Sequence, residues 1–159
     1  MKEFTIHTQV KVYQEQELSD EDRALVEAAR EATKRSYAPY SKFYVGAAAR
    51  LANKQIICGS NQENAAYPSG TCAERTTLFY ANAQYPDQPV EALAVAAQTQ
   101  GSFLAKPISP CGACRQVILE TEHRYGKPVR ILLYGTEGVY VLEGIQSILP
   151  LQFDQDCLL

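Results

Sequence analysis

No apolar run in this chain is long enough to cross a membrane, and its first residues, Met1-Lys2-Glu3-Phe4-Thr5-Ile6-His7, hold no apolar signal core. The expected compartment is therefore the cytoplasm, where thiols stay reduced. A basic tract is also missing. Lys and Arg number 15 against 18 Asp and Glu, for a net charge of −3, which makes the chain a poor candidate for binding a nucleic-acid backbone. Histidine is scarce: His7 and His123 lack useful ligand spacing. Only one Cys-x-x-Cys occurs, so a closed zinc ribbon would want for its fourth ligand. The five cysteines are an odd count, which argues against a disulfide framework. Internal repeats, low-complexity tracts and linkers are absent too.

What remains is an ordinary globular composition. The 159 residues are 46% hydrophobic and 21% charged, enough for one domain with a sizeable core. We expect an N-terminal arm or strand over residues 1–18 and a single domain over residues 19–159. Ser19 reads as a helix N-cap, followed by Asp20, Glu21 and Asp22 at the positive end and Arg30, Lys34 and Arg35 at the negative end. That helix should stop before Ala38-Pro39. Strands are expected over Phe43 to Leu51, Gln55 to Ser60, Val90 to Gln98, Val129 to Tyr134 and Val139 to Leu142. Helices are expected from Cys72 to Ala83, with Leu78 and Phe79 turned inward, and from a Ser109 cap with Pro110 in the first position. Gly144 to Leu149 is expected to be a short helix. Alternating strands and helices give an α/β domain with helices over a mixed sheet.

The chemistry gathers in two stretches, Thr71-Cys72-Ala73-Glu74-Arg75 and Ser109-Pro110-Cys111-Gly112-Ala113-Cys114-Arg115. Both open helices, where exposed amides and the helix dipole favour thiolate over thiol. Cys72, Cys111 and Cys114 can fill three corners of a tetrahedral zinc site, with the fourth open to water. Cys111-Gly112-Ala113-Cys114 also fits a thiol-redox pair, but that reading leaves Cys72 and Glu74 without a role. Cys58 reads as a small buried strand residue and Cys157 as a bystander.

Glu74 has two readings. Thr71 to Glu74 fits a capping box, in which the carboxylate would bond back to the cap amide. Beside an open zinc site the same carboxylate would instead move the protons of a metal-activated water. Three thiolates on Zn²⁺ leave a net charge of −1, which a cation at Arg75 would offset. A solvated surface residue is about as good a reading for Arg115.

Cys72-Ala73-Glu74-Arg75 followed by Pro110-Cys111-Gly112-Ala113-Cys114-Arg115-Gln116 closely resembles the small tetrameric cytidine deaminases. Phe43-Tyr44-Val45-Gly46-Ala47-Ala48 and Asn61-Gln62-Glu63-Asn64-Ala65 are similar to two further family segments, so the likeness runs from about Leu25 to Phe153. It implies a three-layer α/β/α sandwich with a mixed five-stranded sheet and one Zn²⁺ per subunit. It also implies hydrolysis of cytidine and deoxycytidine to uridine and deoxyuridine. By the same resemblance Glu74 is the acid/base, Phe43 packs on the pyrimidine, Asn61 and Glu63 hold the ribose hydroxyls, and Ala73 orients the base. Ala65, Tyr67 and Phe153 would reach a neighbouring subunit's site in a homotetramer. Tyr44 departs from the family, which often has Pro or Arg there, and the arm before Leu18 is longer than the family needs. Blasticidin-S deaminases resemble the zinc motifs but lack the segment that carries Asn61 and Glu63, which favours a nucleoside.

Overall fold

A computed structural model describes residues 1–158. Seven strands form one mixed sheet: β1 (Lys11–Tyr13), β2 (Phe43–Leu51), β3 (Ile56–Ser60), β4 (Val90–Thr99), β5 (Ser102–Phe103), β6 (Arg130–Gly135) and β7 (Gly138–Glu143). Their order is β1-β7-β6-β4-β2-β3, with β5 paired to β4. The count exceeds the five expected because the arm joins the sheet and a two-residue strand escapes a periodicity reading. β1 is the arm itself, laid antiparallel on β7. β5 is the two-residue return of a hairpin whose turn, Gln100-Gly101, takes positive φ at both positions.

Three helices cover the sheet: α1 (Asp20–Ala32) on one face, α2 (Ala73–Gln84) and α3 (Gly112–Tyr125) on the other. The strand alternation builds both cores at once. Ala48, Ala94, Leu132 and Val141 face α1, beside Leu25, Val26 and Ala29. Ala47, Leu93, Val95, Ile131 and Leu133 face the other way, beside Leu78, Ile118 and Leu119. The three-layer α/β/α expectation holds. Gly46 lets α1 lie close on β2, since a Cβ there would sit 2.1 Å from the Ala29 carbonyl oxygen.

Ser19 caps α1 as expected, its hydroxyl accepting from the Asp22 amide at 3.2 Å. The helix runs into a short 3-10 turn over Thr33–Arg35 and stops before Ala38-Pro39. Three local expectations fail. Phe79 is not turned inward; it is 52% exposed, on the groove between α2 and α3. Cys58 is exposed rather than buried, because β3 is an edge strand with alternating exposure. Ser109 does not cap α3. Its hydroxyl and the Pro110 carbonyl both accept from Arg115, and the first helical bond runs from the Arg115 amide to the Cys111 carbonyl, which makes Cys111 the N-cap. The Gly144 to Leu149 stretch holds one 3-10 turn, Ile145–Ser147.

Sheet register places the site. Phe43, at the start of β2, lies opposite Thr99 at the end of β4, and Ser60, at the end of β3, pairs with Gly46. Among the seven strands described, the one parallel pair is β4 with β6, joined through α3. The beginning of β2, the segment after β3 and the N-termini of α2 and α3 thus meet beyond the carboxyl end of β4. Ligand crevices in α/β sheets lie at such ends.

Candidate metal centre and pocket

Cys72 is the N-cap of α2 and Cys111 the N-cap of α3, both in extended backbone. Neither side chain caps its helix, so both sulfurs are free to ligate. Cys114, two residues into α3 and fully buried, completes a cluster whose sulfurs all lie within 4.8 Å of one another. Cys72 Sγ is 3.8 Å from Cys111 Sγ, which is 3.5 Å from Cys114 Sγ. A tetrahedral zinc with bonds of about 2.3 Å holds its sulfurs about 3.8 Å apart, so these two sides are close to the edges of a zinc face. A disulfide, at about 2 Å, is far shorter.

Cys72 and Cys114 shift in opposite directions through the hydrogen bond they share. The hydrogen bond from Cys114, with help from Arg75, brings the Cys72 thiol down to about 5. The same bond to Cys72, together with burial, pushes Cys114 well up. A dication held by the three sulfurs would favour their thiolate forms. Arg75 Nη2 stands 3.6 Å from Cys72 Sγ, beside the charge that was expected to need it.

Glu74 lies at the second position of α2, only 4% exposed. A capping box needs its carboxylate at the third position, which Arg75 occupies, and the Cys72 side chain makes no cap bond. Burial raises the pKa of Glu74, partly offset by its own amide.

A cavity of about 790 Å³ opens over this cluster. Its wall includes Phe43, Asn61, Glu63, Tyr67, Cys72, Ala73, Glu74, Arg75 and Cys111. Tyr67, expected to serve a neighbour, also lines this chain's own cavity. Ala65 and Phe153 do not line it, and both are exposed. Tyr40, Ser41, Thr71 and Ile108 line it as well and were missed by the sequence reading. Tyr40 and Ser41 follow Ala38-Pro39, where the first helix was expected to have ended, but nothing in a lone sequence points such a segment at a pocket.

Asn61 and Glu63 are less free than expected. Asn61 Oδ1 accepts from the Val45 amide at 2.8 Å, and Nδ2 donates to the Phe43 carbonyl at 2.9 Å. The Glu63 carboxylate accepts from the amides of Tyr40 and Ser41, at 2.9 and 3.3 Å, and from the Ser41 hydroxyl. Arg115 is neither a solvated residue nor a partner of the sulfurs. Its guanidinium donates to Pro110 O and Ser109 Oγ, each at 2.8 Å, and to Ile148 O. It ties the loop ahead of Cys111 to the start of the C-terminal tail.

Fold and site together define a zinc-binding α/β protein with an open, thiolate-held metal position. The family model for the cytidine and deoxycytidylate deaminase zinc-binding region matches residues 19–126, and the chain belongs to that family. A cytidine deaminase of Sporosarcina psychrophila is 47% identical over 96 residues, covering 60% of this chain and 66% of that one. One from Halalkalibacterium halodurans is 45% identical over 96 residues, covering 60% and 68%. The alignments thus span about two thirds of each relative's length. The crystal structure of a cytidine deaminase from Burkholderia pseudomallei superposes with a TM-score of 0.69 at 41% identity, covering 82% of this chain and 97% of that one.

Proposed function

We propose that this chain is a zinc-dependent enzyme that hydrolyses cytidine and deoxycytidine to uridine and deoxyuridine, releasing ammonia. One observation carries the reading: three clustered thiols, two of them (Cys72 and Cys111) in the wall of a cavity, stand beside a buried carboxylate in the same wall, Glu74. Zinc held by Cys72, Cys111 and Cys114, one ion per subunit, supplies a Lewis acid that lets water ionise near neutral pH. Glu74 takes the water's proton and passes it to N3 of the pyrimidine as oxygen bonds to C4. Glu74 then takes the remaining hydroxyl proton and delivers it to the amino group, the C4–N bond breaks, and ammonia leaves. The pKa raised by burial suits a group that must both accept and give a proton.

Phe43 packs on the base, Asn61 and Glu63 hold the ribose hydroxyls, and Ala73 offers one of the unpaired amides at the start of α2 to the base. Arg75 offsets the surplus negative charge of three thiolates. Among the described residues, Arg75 is the only cation in the cavity wall and it is committed to Cys72, which supports an unphosphorylated nucleoside. Residues 19–159 act as one domain to which the arm adds a strand. Ala65, Tyr67 and Phe153 reach neighbouring subunits of a cytoplasmic homotetramer. The deciding experiment combines zinc content with loss of the cytidine ultraviolet band. Stoichiometric zinc without turnover of cytidine or deoxycytidine would overturn the assignment.

A further inference from the structure

The cavity has two walls that must keep a fixed separation: the Phe43 ring, which takes the base, and the Glu63 carboxylate, which takes the sugar. Both are set by one short turn. Lys42, within it, sits at φ 56°, a left-handed backbone uncommon for a residue with a side chain. The turn is held by the Lys42 amide on Ala38 O at 3.1 Å and by Thr99 Oγ1 on Lys42 O at 3.2 Å.

Ser41 occupies the centre of this turn. Its hydroxyl donates to Glu63 Oε1 and accepts from the Phe43 amide at 3.1 Å. A serine hydroxyl has one proton to give, so accepting from Phe43 aims that proton at Glu63. Glu63 Oε2 is meanwhile fixed by the amides of Tyr40 and Ser41. A carboxylate offers about four acceptor positions, so these three bonds leave about one for a ligand hydroxyl. The Phe43 backbone is held at both polar atoms, its amide by Ser41 and its carbonyl by Asn61.

We propose that Ser41 is a positioning residue for nucleoside binding: through its hydroxyl it orients the Glu63 carboxylate toward the sugar at a set distance from the Phe43 ring. The proposal rests on the reading of Glu63 as a sugar ligand. Ser41 makes no claim on the substrate itself, since its proton is already spent.

The test is a double-mutant cycle on the zinc-loaded enzyme with cytidine: Ser41→Ala, Glu63→Gln and the two together, with Ser41→Thr as the conservative control. Ser41→Ala should raise KM about tenfold, the size expected for a hydrogen bond to a charged group, with kcat within about twofold. Zinc content and thermal midpoint should stay near wild type, and Ser41→Thr should return KM toward it. Because Ser41 acts through Glu63, the double variant should be no worse than Glu63→Gln alone. If Glu63→Gln raises KM but Ser41→Ala does not, or if the two effects multiply, the positioning role is wrong and the sugar role of Glu63 stands. If Glu63→Gln leaves KM unchanged, the sugar role falls and the proposal falls with it.

Discussion

Glu74 is the residue at which the sequence offered two roles and the structure separates them. From spacing alone a Thr-x-x-Glu at a helix start is a good capping box. The helix begins one residue later than that box requires, because Cys72 rather than Thr71 is the cap. Register within a single turn decides between the readings, and helix boundaries are the least legible part of any sequence. With the cap role gone, Glu74→Gln keeps the volume and removes only the titratable proton. The variant should fold and hold one zinc, while kcat falls by roughly 10²–10⁴, the usual contribution of a general acid/base. Metal analysis beside a single-turnover assay reads both. A Glu74→Ala variant that stayed active and had lost only about 1 kcal/mol in a denaturant melt would restore the capping role.

Among the elements, the long strands were legible as apolar runs bounded by turn residues, and the helices chiefly by their start and stop signals. β2, β4, β6 and β7 alternate their buried residues between two cores, so their sequences carry both faces of the fold. β1 falls within the segment read as an arm or strand, though its pairing with β7 was not legible; β5 was not legible at all, since a two-residue strand has no period to show and owes its pairing to β4. Gly46 shows how closely the layers approach. A methyl group there meets the Ala29 carbonyl and the Thr33 amide, both backbone, neither able to swing aside. Gly46→Ala should therefore lower stability by about 1–3 kcal/mol, and more if α1 cannot lift, as read by chemical denaturation. Arg115 makes the opposite point. Its place in a Cys-x-x-Cys-Arg run suggests a metal role, whereas its guanidinium spans Ser109, Pro110 and Ile148. Lysine cannot reproduce a planar fork that makes three bonds. Arg115→Lys should cost about 1–3 kcal/mol and speed zinc loss to a chelator, because the loop ahead of Cys111 is no longer tied down. Unchanged zinc release would show that the tie serves the tail alone.

For the whole molecule, the proposed tetramer is the part of the reading furthest from a single chain. A sequence records what its own residues bury, and residues that serve a neighbour look like stray surface hydrophobics. Tyr67, Phe79, Tyr80, Leu151 and Phe153 are all more than half exposed, a costly display for a chain that worked alone. Phe153 lies outside its own cavity, although Gln116 Nε2 donates to its carbonyl at 2.8 Å and fixes where the tail runs. If Phe153 completes a neighbour's pocket, two crippled variants should rescue each other. Glu74→Gln subunits have no acid/base but keep Phe153; Phe153→Ala subunits have the reverse. When equal amounts are unfolded and reassembled together, half the sites keep Glu74, and half of those receive Phe153 from the other kind of subunit. Activity should then recover to about a quarter of wild type under random assembly of a closed tetramer, well above either parent. If Phe153 serves its own subunit, or serves none, mixing yields only the average of the two parents.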